Sequence, residues 1–268
     1  MPMLHIIILA LIQGITELLP ISSSGHLILA PDLLHWEDQG VELDIAMHIG
    51  SMFALILYFW KDVHNLFKGF FSVCKLNIET THARFFMQLV VASIPAVIVG
   101  LILHVFFKDI FRNKEIIVWT MIGYGCVLYI VDRYARQELT MQQMTYKNAF
   151  VYGLFQSLAL VPGTSRSGIT MTAGRLLGYQ RREAARFAML MAIPTILGAG
   201  LLSAVDLYKK GNMDLIQDAV ILAAFTFVVS YLTIVFLMSW LRRANFTPFV
   251  LYRLAFGGFL IYWVYFVH

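Results

Sequence analysis

The chain has 268 residues, of which 59% are hydrophobic and 13% charged, and its mean hydropathy is +0.74. A soluble domain carries about 25% charged residues, so the apolar surplus here cannot be hidden in one soluble core, and lipid must be the outer solvent. The formal charge of +4 comes from lysines and arginines that flank apolar stretches; no basic face interleaved with aromatics lies outside them, which excludes nucleic acid as a partner.

The N-terminal stretch has no basic n-region, and its apolar run ends in Glu17, so it reads as mature structure rather than a cleaved leader. A spanning helix needs about 20 mostly apolar residues to cross about 30 Å of hydrocarbon. Six stretches qualify: 43–60, 85–107, 115–132, 184–206, 216–240 and 247–267. Each is apolar nearly all round, as a membrane helix should be. Charge gathers between them, from Lys61 to Arg84, Lys108 to Lys114, Arg133 to Lys147 and Arg181 to Arg186, and at Lys209–Lys210 and Arg242–Arg243. Basic residues border both ends of successive spans, so the positive-inside rule does not fix the orientation. Trp60, Tyr129, Tyr208, Trp240 and Trp263 suit interfacial belts. Cys74 and Cys126 have no metal-ligand or redox spacing and read as small apolar side chains. His48 reads first as a satisfied interior histidine, and Asp132 and Asp206 as boundary charges.

Two further apolar stretches, 4–19 and 150–161, are shorter than a span, and each runs into a Ser/Gly/Pro loop. They belong to a repeat. Gly14-Ile15-Thr16-Glu17 and Ser22-Ser23-Ser24-Gly25 are matched by Gly153-Leu154-Phe155-Gln156 and Ser165-Arg166-Ser167-Gly168. Ala83-Arg84-Phe85 and Ala185-Arg186-Phe187 then open spans holding Ile94-Pro95 with Gly100, and Ile193-Pro194 with Gly198. The first half carries one extra span, 43–60. Irregular backbone at membrane depth survives only when buried in protein or lining a watery cavity, and matching broken segments place a site at the repeat interface. The expected fold is therefore an all-α polytopic membrane protein with an inverted internal repeat and two re-entrant helix–loop–helix elements. It forms one integral membrane domain, 1–268, with halves of roughly 1–140 and 141–268. The alternative is that both loops are surface turns.

Gln13 and Glu17 stand four apart, on one helix face. An ionised carboxylate inside a membrane helix needs a cation or a hydrogen-bond network; Glu17 is expected to hold a divalent metal with Gln13 as a neutral oxygen ligand, unless it only caps the loop. Ser22, Ser23, Ser24, Gly25 and His26 offer a tight turn, hydroxyl donors and a base or nucleophile. The second loop, Pro162 to Thr170, is more specific. Gly163 and Gly168 allow backbone amides to face an anion, and Arg166 adds a planar fork suited to phosphate, among Ser165, Ser167 and Thr170.

With these motifs the chain resembles bacterial undecaprenyl-diphosphate phosphatases of the bacitracin-resistance type, over nearly its whole length. The resemblance rests on Gln13-Gly14-Ile15-Thr16-Glu17, on the Ser-Ser-Gly-His loop and on Pro162 through Thr170. The family admits Glu or Gln at the first position, and Gln13 leaves the metal assignment on Glu17. The resemblance implies hydrolysis of undecaprenyl diphosphate to the monophosphate, a Mg2+ or Ca2+ cofactor, a multi-pass inner-membrane location and a site opening outward. It implies catalytic roles for Glu17, Ser23, His26, Ser165, Arg166 and Thr170, with Ser22, Ser24, Gly163, Ser167 and Gly168 binding substrate. The partners are then the polyprenyl substrate and membrane lipid, with a homodimer admitted. The nucleophile stays open between His26, a loop serine and water. A transporter of phosphorylated polyprenyl lipid is the rival class, since inverted repeats with broken helices also build transporters. A type-2 phosphatidic acid phosphatase is excluded, because no histidine follows Arg166 until His268.

Overall fold

The computed structural model describes residues 1–34, 36–106, 114–210 and 213–267. In order these form α1 (Met3–Thr16), α2 (Ser23–Leu34), α3 (Val41–Tyr58), α4 (Trp60–Cys74), α5 (Thr81–Phe106) and α6 (Lys114–Tyr134). There follow α7 (Tyr146–Leu158), α8 (Arg166–Leu176), α9 (Arg181–Lys210), α10 (Met213–Trp240) and α11 (Thr247–Tyr262). Among the described residues there is no β-strand, only an isolated parallel bridge between Leu139 and Tyr179. The expected charged stretch from Lys108 lies outside the description up to Lys114, as do the side chains of Asp206, Tyr208, Lys209 and Lys210.

Among the described residues five helices are long and apolar enough to cross a membrane: Val41–Tyr58, Thr81–Leu103, Glu115–Tyr134, Leu215–Trp240 and Thr247–Phe266. Only 17% of the α5 window is buried, and apolar side chains such as Val97 and Leu101 point outward at 57% and 62% exposure. Water would not tolerate that surface; lipid does. The sixth expected span lies in α9, whose 30 residues extend about 45 Å at 1.5 Å each. Its first half is the central pillar: Ala184, Ala185, Phe187, Leu190, Met191 and Ala192 are fully buried. Trp60 and Tyr129 are exposed, as belt residues should be. Cys74 and Cys126 are free thiols, both exposed.

The repeat glycines serve close helix contact. A Cβ on Gly14 would lie 2.7 Å from Val229, where α1 meets α10, and one on Gly153 would lie 2.4 Å from the Ala92 carbonyl, where α7 meets α5.

Side-chain bonds fix which helix ends lie together. His5 stacks on Trp36 at 3.7 Å, and the N-terminal ammonium meets Asp218 at 2.5 Å. The start of α1, the end of the α2 segment and the start of α10 thus share one face. On the other face Asp62 pairs with Arg186, Gln88 donates to the Met144 carbonyl, and Asn148 donates to Tyr179. The α1–α2 and α7–α8 pairs are therefore helical hairpins whose first helices start at opposite ends of the bundle. Asp132, expected as a boundary charge, is instead buried. It accepts from Arg175 Nε at 2.8 Å, from Arg181 Nε at 2.8 and 3.0 Å, and from the Phe246 amide at 3.3 Å. A carboxylate removed from water needs such partners, and here they tie α6, α8, α9 and α11 together.

Candidate active site

Both hairpin turns leave the helical region in the same way. Ser22 and Ser165 have φ of +74° and +71°, a conformation L-residues rarely take, and each precedes a helix start. Each serine then caps its helix, accepting from Gly25 at 3.4 Å and from Gly168 at 3.2 Å. Each also bonds the hydroxyl two residues on, Ser24 at 3.3 Å and Ser167 at 3.2 Å. The turns interlock across the chain: the Gly163 amide donates to Ser24 Oγ at 3.4 Å, and Ser167 Oγ donates to the Leu19 carbonyl at 2.9 Å. Gly163 has φ +85° and abuts Ile117, where a Cβ would lie 2.5 Å from the carbonyl oxygen.

Glu17, 6% exposed, is the centre of the junction. Its Oε1 accepts from Arg166 Nη2 at 2.6 Å, and its Oε2 accepts from Ser23 Oγ at 2.6 Å and Gln13 Nε2 at 3.3 Å. His48 Nε2 stands 3.4 Å from the same oxygen, while its Nδ1 bonds the Asp44 carbonyl at 2.7 Å. His48, read from sequence as an interior histidine, is therefore a neighbour of the site. Beside these groups lies a cavity of about 300 Å3, lined on its polar side by Glu17, Ser23, Ser24, His48, Ser165, Arg166 and Thr195. Ile45 and Ile196 form part of its apolar wall. The N-termini of α2 and α8 both reach this cavity, and helix N-termini carry unpaired amides and partial positive charge. Arg166 Nη1 and Gln13 Oε1 are buried without a partner among the described residues.

Other expected residues stand back from the cavity. His26 turns toward α11: its Nδ1 bonds the Ser22 carbonyl at 2.7 Å, and its Nε2 meets the Tyr252 hydroxyl at 2.6 Å. A carbonyl only accepts, so Nδ1 carries the proton, and in the neutral ring form Nε2 is left to accept from the Tyr252 hydroxyl. The ring stacks on Phe256 at 4.4 Å and borders a separate apolar groove beside α1. Thr170 is buried in the first turn of α8, donating to the Arg166 carbonyl at 2.7 Å. Ser22, Ser167 and Gly168 build the turns rather than the cavity wall. Tyr252→Phe removes one hydrogen bond of His26 and no atom of the cavity; a net loss of about 1 kcal/mol and turnover within about tenfold of wild type are expected from thermal unfolding and rate assays.

A further side chain behind the turns has no place in the sequence reading. Arg253, in the middle of α11, is 1% exposed. No carboxylate among the described residues reaches it. Its Nη1 donates to the carbonyls of Thr164 (3.0 Å) and Pro20 (3.4 Å), and its Nη2 to those of Gly163 (3.1 Å) and Thr120 (3.4 Å). Its Nε donates to the Met121 carbonyl at 2.8 Å. One guanidinium thus clamps both turns from behind. An arginine inside an apolar span is the signal that could have found it.

Residues 6–259 match the family described as bacitracin resistance protein BacA. The chain belongs to that family. Among similar proteins, the undecaprenyl-diphosphatase of Roseobacter denitrificans is 43% identical over 266 residues, covering 99% of this chain and all of the relative. That of Ruegeria pomeroyi is 44% identical over 262 residues, covering 97% and 98%, and that of Alteromonas mediterranea is 42% identical over 265 residues. The cavity is thus the candidate site, and its polar wall comes from residues that sequence reading singled out, plus His48 and Thr195.

Proposed function

We propose that this protein is a membrane phosphatase that hydrolyses undecaprenyl diphosphate to undecaprenyl phosphate and inorganic phosphate, recycling the lipid carrier for cell-wall synthesis. The observation that carries the reading is the Arg166–Glu17 pair at 2.6 Å, which joins the two turns at one polar cavity, in a chain of this family. The two hairpins are re-entrant elements of an inverted repeat, and the diphosphate sits between their turns. Arg166 Nη1 and the amide-bearing ends of α2 and α8 receive its oxygens. Charge developing on the transferred phosphoryl group meets donors already in place, which is where phosphoryl transfer gains most.

Ser23 is the attacking group. Its hydroxyl already donates to Glu17, the nucleophile–base geometry, whereas both nitrogens of His26 are engaged elsewhere. Ser23 Oγ forms a bond to the terminal phosphorus as the bridging P–O bond breaks; its proton passes to Glu17 and undecaprenyl phosphate leaves. Water then cleaves the serine phosphate, releasing inorganic phosphate and restoring the hydroxyl.

Among the described residues no three His, Cys, Asp or Glu side chains gather around a metal position. A hard cation that keeps waters and substrate oxygens needs only one or two carboxylates, and the buried, donor-free Gln13 Oε1 beside Glu17 fits one. Glu17 and Gln13 would hold Mg2+ or Ca2+, which when bound neutralises phosphoryl charge. Glu17→Gln is expected to lower maximal turnover, because the base for Ser23 is lost, and to raise the cation concentration needed for half of the residual rate; an unchanged cation titration of that residual rate means Glu17 does not support the metal.

Thirteen lysines and arginines, Lys61 to Arg84, Arg133 to Lys147, Arg175 to Arg186 and Arg242–Arg243, sit on the face of α4, and among the described residues only the helix-end positions Lys114, Lys209 and Lys210 lie on the other. The positive-inside rule makes the α4 face cytoplasmic. The cavity, walled by the first half of α3 and the second half of α9, then lies toward the outer leaflet of the inner membrane. Phosphate release from undecaprenyl diphosphate by the purified protein tests the whole reading. Binding without release, with cation present, would instead indicate a lipid transporter.

A further inference from the structure

His48 lines the cavity from α3, yet neither binds the diphosphate nor takes its proton in the proposed reaction. Two contacts fix its ring. Nδ1 stands 2.7 Å from the Asp44 carbonyl oxygen, one turn earlier in α3, and Nε2 stands 3.4 Å from Glu17 Oε2. A carbonyl only accepts, so Nδ1 carries a proton. In the neutral ring Nε2 is then a bare lone pair beside a carboxylate oxygen. Two acceptors do not face each other unless something positive lies between them.

Either a second ring proton or a shared cation supplies that charge, and the spacing decides between them. A charge-assisted N–H···O bond closes to about 2.7–2.9 Å. Two ligand atoms, each about 2.1 Å from one ion, stand about 3.0–3.4 Å apart at octahedral to tetrahedral angles. The observed 3.4 Å is too wide for the first and suits the second. Gln13 adds an independent observation. Fully buried, it places Nε2 3.3 Å from the same Glu17 Oε2, while Oε1 of that amide has no donor among the described residues. Its last side-chain torsion is soft, and a half turn about it sets Oε1 beside the carboxylate, where a cation satisfies both oxygens.

We propose that His48 Nε2 is a third ligand to the cation held by Glu17 and Gln13, and that this nitrogen turns the site from Mg2+ or Ca2+ toward first-row transition ions. The inference rests on the proposed cation role of Glu17 and Gln13 and adds the donor that selects the ion. Ca2+ and Mg2+ take oxygen, whereas imidazole suits transition ions. A ligating histidine almost always donates its other ring N–H to a carboxylate, a backbone carbonyl or water, as Nδ1 does here to Asp44.

The test titrates Mn2+ into the purified, untagged full-length protein in detergent, without substrate, and follows the ion by electron paramagnetic resonance. Mn2+ binds such sites most weakly of its series, so a preference seen with it is a minimum. Wild type is expected to bind Mn2+ at a single site, to need about tenfold more Ca2+ than Mn2+ for half displacement, and to show imidazole nitrogen coupling in the pulsed spectrum. His48→Gln should lose that coupling, erase the preference over Ca2+ and lower Mn2+ affinity about tenfold or more, since losing even a hydrogen-bond partner of a ligand costs about that much. The pulsed spectrum of wild type decides the matter even where the variant does not fold. Bound Mn2+ without nitrogen coupling would leave the ion on oxygen alone, with the ring an imidazolium beside Glu17, and overturn the proposal. Absence of single-site binding would overturn it equally. Phosphate release from undecaprenyl diphosphate, measured on the same samples, keeps the two readings apart. Release without nitrogen coupling removes only His48 as a ligand, and nitrogen coupling without release removes only the phosphatase.

Discussion

Arg166→Ala is expected to lower phosphate release about 10²–10³-fold, the loss seen when one preorganised donor to a developing charge is removed. It should also destabilise the protein. Glu17, 6% exposed, keeps its carboxylate in the junction but loses its 2.6 Å partner, and breaking a buried pair from one side costs about 3–5 kcal/mol. The Arg166 side chain is 16% exposed, so water can enter, and the lower end of that range applies. The two effects separate in a double variant. Adding Glu17→Gln to Arg166→Ala removes the stranded charge, so thermal stability should largely return while turnover does not. Near-normal phosphate release from the single variant would mean that the two turns do not form one site.

Arg253 gives the second large effect without touching the cavity. Arg253→Met leaves the carbonyls of Gly163, Thr164 and Met121 without this donor, at about 1–3 kcal/mol for each one left unsatisfied. Set against a total stability of about 5–15 kcal/mol, the methionine variant is expected to fail to accumulate. Arg253→Lys is the informative change. Lysine keeps the charge but concentrates its donors on one nitrogen, so it can reach the turn carbonyls or those of α6, not both. The turns then shift relative to each other, and a displacement of about 1 Å at a reacting group lowers rate about 10²-fold. A folded lysine variant with reduced melting temperature and a fall in kcat of that order is expected from unfolding and phosphate-release assays. A methionine variant that folds and turns over normally would remove Arg253 from the account.

The residues in these two arguments differ in how they could be found. Glu17, Ser23 and Arg166 announce themselves, because each is a polar group in an apolar chain beside a turn-forming motif. His48 and Arg253 sit within spans with no motif around them, and their bonds run to residues 31 and 89 or more positions away. Asp132 gives the reverse case: it ends a span as a boundary charge would, yet its partners Arg175 and Arg181 fold back onto it from over 40 residues on. His26 stands in the right motif, and its ring nonetheless turns to Tyr252, 226 residues later.

The first features met in the chain, two polar loops in an apolar sequence, were enough to call a helical membrane protein, because composition and hydrophobic run length decide the solvent and the element type. They also named the chemistry, since residue types in a short loop carry their donors and charges wherever the loop lies. Which side chains share the cavity was decided only by packing. At about 100° per residue His26 lies only about 60° round the helix from Ser23, so it is the Tyr252 hydroxyl and the Phe256 ring of α11 that hold its ring away from Glu17. Long-range contacts such as Arg253 against both turns have no local signature, because they depend on how α11 seats against α6 and the hairpins.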